Sequence, residues 1–228
     1  MNFRKTLLGG MLAASLSFGS GIALAQEGTP MASPDASPVA EPAEGDIVMG
    51  RFPLSTPDGA IAAYVEAWEG ENGVTFKIES TVDSGLEPGT HGIHIHEVGA
   101  CDASGDTPYA SAGGHFNPTD TTHGAPDDDD SHAGDLGNLE VNDDGTLLYV
   151  VTTDKVTLDP AADNSLAGPS GSALLIHAGE DDLETDPSGE SGDRVACGII
   201  FRSFEPAMNT TPPSVEAPSA SPEATPAS

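Results

Sequence analysis

The chain has 228 residues and a formal net charge of −30, because 37 Asp and Glu face only seven Lys and Arg. Phosphate backbones and anionic lipid headgroups repel so acidic a protein, which argues against nucleic acid and anionic membrane surfaces as partners. The length suffices for one domain with a sizeable hydrophobic core.

The first 25 residues have the organisation of a secretory signal peptide. Arg4 and Lys5 give a positive start, an apolar stretch runs from Leu7 to Leu24, and Ala25 ends a small-residue cleavage site. The alternative is an uncleaved membrane anchor, for which the stretch is short and interrupted by four glycines. We expect a secreted protein, extracellular or in the cell envelope or periplasm, without membrane contact after signal cleavage.

Composition divides the remaining chain into three parts. Residues 26–45 and 205–228 are rich in Pro, Ala, Ser and Glu, with too little apolar surface to offset the entropy of ordering, so we predict disordered segments there. Residues 46–204 are then predicted to form one domain. That domain has five Lys and Arg against 30 Asp and Glu, a formal charge of −25.

The domain sequence predicts short β-strands joined by turns. The candidate strands are 47–54, 61–68, 74–78, 92–97, 139–141, 147–151, 173–177 and 195–201. Asn72-Gly73 and Asp144-Gly145 each stand between two such runs, which is a strong hairpin signal. About eight short strands without an amphipathic helix indicate an all-β fold, an antiparallel sandwich or barrel.

Two segments, 98–137 and 178–193, do not follow the pattern of strands and turns. A compact domain seldom carries loops of this length unless they have a function. The first segment contains three histidines, so we predict two long functional loops beside the strands.

The histidines have a spacing that indicates metal binding. His94 and His96 lie two residues apart on a predicted strand, so both imidazoles project from the same face. The other candidate ligands are His115, His123, His132, Asp135 and His177. Imidazole suits copper and zinc, and seven ligands exceed the four of one structural zinc, so two metals fit better. The alternative is a set of solvated histidines and acids that bind divalent ions weakly.

The chain has two cysteines, Cys101 and Cys197. An exported protein meets an oxidising compartment, so we expect them to form a disulfide. The alternative is two unrelated buried thiols.

Four segments taken together resemble the copper–zinc superoxide dismutase family, whereas each alone would only be suggestive. They are Gly92–Gly99, Gly114–Pro118 with His123-Gly124, His132–Asn138 and Gly192–Ile200. The similarity covers residues 59–202. It implies an eight-stranded antiparallel Greek-key barrel or sandwich of the immunoglobulin-like kind, with the two long loops around the site.

The resemblance also implies a ligand set. The implied copper ligands are His94, His96, His115 and His177. The implied zinc ligands are His115, His123, His132 and Asp135, so that His115 bridges both metals.

Four further roles come from the resemblance. Asp181 matches an aspartate that hydrogen-bonds one ligand of each metal. His91 matches a histidine near the copper that is not a ligand, and Arg194 matches the arginine at the mouth of the copper channel. A Cys101–Cys197 bridge would tie the metal loop to the last strand.

The implied activity is disproportionation of superoxide to dioxygen and hydrogen peroxide, with copper cycling between Cu(II) and Cu(I) and a structural zinc. Arg194 and His115 are the implied catalytic residues, and superoxide is the partner. The sequence does not fix the oligomeric state, and a homodimer stays open. Two alternatives are a copper-buffering protein of the same fold without turnover and a purely structural secreted sandwich.

Overall fold

The computed structural model describes residues 41–203. The predicted signal peptide, most of the segment 26–45 and the C-terminal segment 205–228 lie outside the described residues. The strands are β1 Ile47–Ser55, β2 Ile61–Gly70, β3 Gly73–Ser80, β4 Gly89–His96, β5 Asp135–Val141, β6 Leu147–Thr153, β7 Ser172–His177 and β8 Arg194–Phe201. One short 3-10 helix, Ala110–Ala112, lies in the loop between β4 and β5.

The eight strands form one sheet in the order β5-β4-β7-β8-β1-β2-β3-β6, and the paired neighbours are antiparallel. The two edge strands approach each other, and the Tyr149 hydroxyl of β6 donates a hydrogen bond to the Leu136 carbonyl of β5 at 2.6 Å. The sheet is therefore a nearly closed barrel. The prediction of an all-β fold with eight antiparallel strands is confirmed. Residues 41–203 include no helix with the length and hydrophobicity to cross a membrane.

The two predicted hairpins differ in outcome. Asn72-Gly73 joins β2 and β3 as a paired hairpin, and Gly73 has a φ of +107°. A Cβ there would lie 2.3 Å from the Thr153 carbonyl oxygen, so the turn requires glycine. The Asp144-Gly145 turn forms as well, but β5 pairs with β4 and β6 pairs with β3. This second turn therefore links the two edges of the sheet, and the prediction of a second paired hairpin is wrong.

Alternation along β4 and β7 places the candidate metal ligands on the face opposite the main core. Ile93 and Ile95 of β4 are fully buried in the barrel core, together with Leu174 of β7. Because successive side chains on a strand point to opposite sides, His94 and His96 project from the other face. Every residue of β7 is buried, which shows that the long loops cover this outer face. Strand β5 begins at Asp135, so the first long loop ends at Gly134. The predicted loop extends to Gly137, three residues further.

Candidate metal centre

Two adjacent strands and one loop bring four histidines together. His94 and His96 lie at the end of β4, and His177 is the last residue of its antiparallel neighbour β7. His115 comes from the loop between β4 and β5 and forms an isolated bridge with His96. All four are buried, and each offers a ring nitrogen within 4.8 Å of the others. This group is the copper set implied by the resemblance.

One ring nitrogen of each histidine in this group lacks a hydrogen-bond partner among the described residues, whereas the other nitrogen has one. In the range 41–203, the buried side-chain nitrogens and oxygens without a hydrogen bond are His94 Nδ1, His96 Nε2, His115 Nε2, His123 Nδ1 and His177 Nε2. A buried polar atom left unpaired costs about 1–3 kcal/mol, so native structures rarely tolerate several together. Four of these atoms belong to the first group. Their convergence fits a metal that prefers imidazole, such as copper.

A second group contains His115, His123, His132 and Asp135, all buried. The distances to Asp135 Oδ1 are 2.7 Å from His115 Nδ1, 3.2 Å from His123 Nδ1 and 3.3 Å from His132 Nδ1. A tetrahedral ion with bonds of about 2.0 Å places its ligand atoms about 3.3 Å apart. Three imidazoles and one carboxylate at this separation fit zinc.

His115 belongs to both groups. Its Nδ1 faces Asp135, whereas its Nε2 has no hydrogen-bond partner and is among the atoms of the first group. Its ring centroid lies 4.0 Å from that of His94. The ring therefore lies between the two groups with one nitrogen toward each.

Asp181, from the loop 178–193, contacts one histidine of each group. Its Oδ2 lies 2.7 Å from His94 Nε2 and its Oδ1 lies 2.8 Å from His123 Nε2. Asn138 of β5 fixes its main chain through two hydrogen bonds of 2.8 Å. Sequence reasoning assigned no role to Asn138, although it lies within the quoted motif, because its contact with Asp181 depends on the fold. Asp181 thus orients one imidazole of each group.

His91 is buried at the edge of the first group, but both of its ring nitrogens face main-chain carbonyls. Nδ1 lies 2.7 Å from the His177 oxygen and Nε2 lies 2.8 Å from the Glu87 oxygen. Neither nitrogen is left for a metal. His91 braces the backbone of His177.

Arg194 is held by the loop that contains His115. Its guanidinium donates hydrogen bonds of 2.6 Å to the carbonyls of Tyr109 and Gly113. The predicted disulfide is present, with Cys101 at the start of this loop and Cys197 on β8 near Arg194. Sequence reasoning missed Tyr109, whose hydroxyl also donates a 2.6 Å hydrogen bond to the Ser55 carbonyl. Tyr109 has a φ of +61°, and nothing in the sequence around it indicates this left-handed conformation.

Burial sets the charge of the histidines in the first group. Desolvation, with repulsion from neighbouring histidines, lowers the pKa of His115 to about 4 and that of His177 to about 3. It lowers the pKa of His96 as well. These rings are neutral at pH 7, which is the state that binds a metal.

In the second group, the two neighbouring carboxylates make His123 differ from the histidines of the first group. Burial lowers the pKa of His123, but its contacts with Asp135 and Asp181 outweigh this and raise the pKa to about 10. Burial raises the pKa of the Asp135 and Asp181 carboxyls, but their hydrogen bonds to histidines outweigh this effect. The pKa of each carboxyl therefore lies below its usual range. The ionised carboxylates of Asp135 and Asp181 face opposite nitrogens of the His123 ring and together favour positive charge at this position.

Residues 62–200, more than half of the chain, match the family described as "Copper/zinc superoxide dismutase". "Superoxide dismutase [Cu-Zn] 1" of Aquifex aeolicus is 41% identical over 130 residues, covering 57% of this chain and 73% of that protein. "Superoxide dismutase [Cu-Zn] 2" of Brassica juncea is 41% identical over 155 residues, covering 64% of this chain and 93% of that protein.

The chain is also similar to solved structures of proteins with related names. A SOD-like protein from Bacillus subtilis is 35% identical with a TM-score of 0.59, covering 66% of this chain and 97% of its own. The Cu/Zn superoxide dismutase from Brucella abortus is 30% identical with a TM-score of 0.53, covering 66% of this chain and 98% of its own. The likeness extends over nearly the whole of both neighbours.

Proposed function

The chain belongs to the copper/zinc superoxide dismutase family, and from this premise we propose how its residues divide the work of superoxide disproportionation. Membership brings superoxide dismutase activity, superoxide as substrate, and copper and zinc as cofactors. The finer proposal concerns the ligands. The first group would hold copper, the second would hold zinc, and His115 would bridge them.

One observation carries this proposal: the unpartnered buried ring nitrogens of the five histidines. Four of them converge where the copper set is proposed, and the fifth, on His123, faces Asp135 in the zinc set. A purely structural sandwich would leave these buried atoms without compensation from the protein. Metal binding satisfies all five.

Copper, when bound, supplies the one-electron redox chemistry that disproportionation requires. His94, His96 and His177 would hold the ion, and the Asp181 carboxylate would keep the ring of His94 in its orientation. Nδ1 of His115 would face zinc, so Nε2, the nitrogen proposed for copper, would be the atom that takes up a proton whenever it is not bound to the metal. Asp135 would supply the negative charge of the zinc site.

Arg194 would provide the positive charge that receives the superoxide anion. Two carbonyls accept hydrogen bonds from its guanidinium, so the charge stays in one place. Burial lowers the pKa of Arg194 from its ordinary value. An arginine retains its proton at neutral pH even so.

Export is also part of the proposal. The Cys101–Cys197 disulfide fits an oxidising compartment and supports a secreted protein. The residues of the signal peptide lie outside the described range, and secretion and the homodimer stay predictions.

Metal analysis combined with a superoxide decay assay tests the proposed function. We expect the purified protein to contain one copper and one zinc per chain and to accelerate decay. Stoichiometric metal without decay would indicate the copper-buffering alternative. An absence of bound metal after incubation with both ions would contradict the assignment of the site.

The acidic surface predicts an unusual dependence of the rate on salt. The loop 178–193 has seven acidic residues and no lysine, and of these only Asp181 is buried. Charges beyond the Debye length of about 8 Å are screened at physiological ionic strength, so added salt removes repulsion of the anion. We expect the second-order rate constant to stay level or rise as salt is added. The measurement is pulse radiolysis over a salt series, with metal content checked at each point; a steep fall would show attractive steering.

A further inference from the structure

A second aspartate of the loop 178–193 reaches the zinc group. Asp186 Oδ1 accepts a hydrogen bond from the backbone N–H of His123 at 2.8 Å. The same oxygen lies 3.9 Å from Nε2 of His132. The Asp186 side chain is 59% exposed, so it contacts the group from the solvent side.

The orientation of the three zinc-group imidazoles shows which ring nitrogens need a hydrogen-bond partner other than Asp135. Each directs Nδ1 toward Asp135, which leaves Nε2 pointing away. Nε2 of His115 faces the copper group, and Nε2 of His123 meets Asp181 at 2.8 Å. A metal-bound histidine generally donates its other N–H to a carboxylate, a carbonyl or water. For Nε2 of His132, Asp186 is the acidic group within reach.

The separation of 3.9 Å is too long for a direct hydrogen bond. One bridging water spans such a gap, and rotation of an exposed carboxylate also closes it. In both cases the negative charge lies beside the outer nitrogen. It favours the N–H at Nε2 and therefore the tautomer in which Nδ1 is free to bind zinc.

The backbone of the loop is built to present Asp186. Gly189 has a φ of +61°, and a Cβ there would lie 1.7 Å from Asp181 Oδ1, so the chain passes directly against that carboxylate. The Gly189 N–H donates to the Thr185 carbonyl at 2.6 Å, and the Asp182 N–H donates to the Gly189 carbonyl at 2.9 Å. These hydrogen bonds close a tight turn over residues 182–189, which includes Asp186. The turn explains why an exposed side chain has a defined position.

We propose that Asp186 is a positioning residue for zinc, which orients His132 through its outer nitrogen and His123 through its main chain. This inference rests on the proposed zinc site. Asp181 contacts both metal groups, whereas Asp186 contacts the zinc group alone. The loop 178–193 is thereby coupled to zinc occupancy through a contact separate from Asp181.

Substitution at Asp186 with a charge-matched control in the same loop tests the proposal. The variants are Asp186→Asn, Asp186→Ala and Glu184→Gln; the Glu184 side chain is exposed and makes no hydrogen bond or ion pair with residues 41–203. Zinc affinity is measured on the copper-loaded full chain by competition with a chromophoric chelator, and copper affinity is measured in parallel. Loss of an outer partner typically weakens metal binding by 10–100-fold.

We expect zinc affinity to fall about tenfold in both Asp186 variants, with Glu184→Gln and all copper affinities within about twofold of the unmodified protein. Asp186→Asn keeps an acceptor for the His123 N–H, so it isolates the charge beside His132. Unchanged zinc affinity in Asp186→Asn would overturn the proposal, as would an equal loss in Glu184→Gln. If the unmodified protein bound no zinc at all, the proposed function would fail instead.

Discussion

Replacing His115 with alanine is expected to weaken both metal sites together and to abolish the catalysed acceleration of superoxide decay. This ring faces Asp135 with Nδ1 at 2.7 Å and directs an unpartnered Nε2 into the copper group. Removing it deletes one ligand from each proposed set. Because loss of an outer partner alone costs 10–100-fold in affinity, we expect at least about 100-fold for the loss of a ligand.

The measurement is copper and zinc content after dialysis against a weak chelator, followed by the decay assay. His132→Ala is the matched control, because His132 belongs to the zinc group alone. It should release zinc while copper stays bound. If His115→Ala lost only one metal, the shared ligand would be contradicted and the two sites would be independent.

Much of the histidine cluster is predictable from local pattern. His94 and His96 alternate with core residues on one strand, so their common face follows from the geometry of any strand. The pairing of His177 with this strand does not follow, because antiparallel register is set by tertiary packing. The assignment of His177 to the copper set with His94 and His96 follows only from the resemblance to a known family.

Contacts made by the long loops could not be predicted in this way. Asp186 is one acidic residue among seven in the loop 178–193, and its position beside His123 and His132 depends on the path of the backbone. The Asp144-Gly145 turn is a similar case. Its sequence predicts a tight turn correctly, but closure of the barrel decides that the flanking strands pair elsewhere.

Removing the disulfide is expected to lower the free energy of unfolding by about 4–5 kcal/mol in the chain-entropy model. The reason is that Cys101 and Cys197 are separated by 96 positions, so the bridge restricts a long loop of the unfolded chain. In the folded protein Cys197 packs in a small core cluster with Tyr109, Ala112 and Leu175. Serine at both positions avoids a free thiol and makes Cys101→Ser/Cys197→Ser the appropriate variant.

The measurement is urea unfolding of the metal-free protein, because bound metal adds its own stabilisation. We expect the double variant also to lose activity per bound copper, since the loop that contains Cys101 supplies both carbonyls that hold Arg194. Phe76→Ala is the matched control: Phe76 is fully buried in the main core, and its truncation should cost about 3–5 kcal/mol. Equal loss of activity per copper in this control would show that stability, and not the position of Arg194, limits turnover. If Phe76→Ala retained activity per copper and the double variant lost it, the disulfide would be shown to act through the position of Arg194.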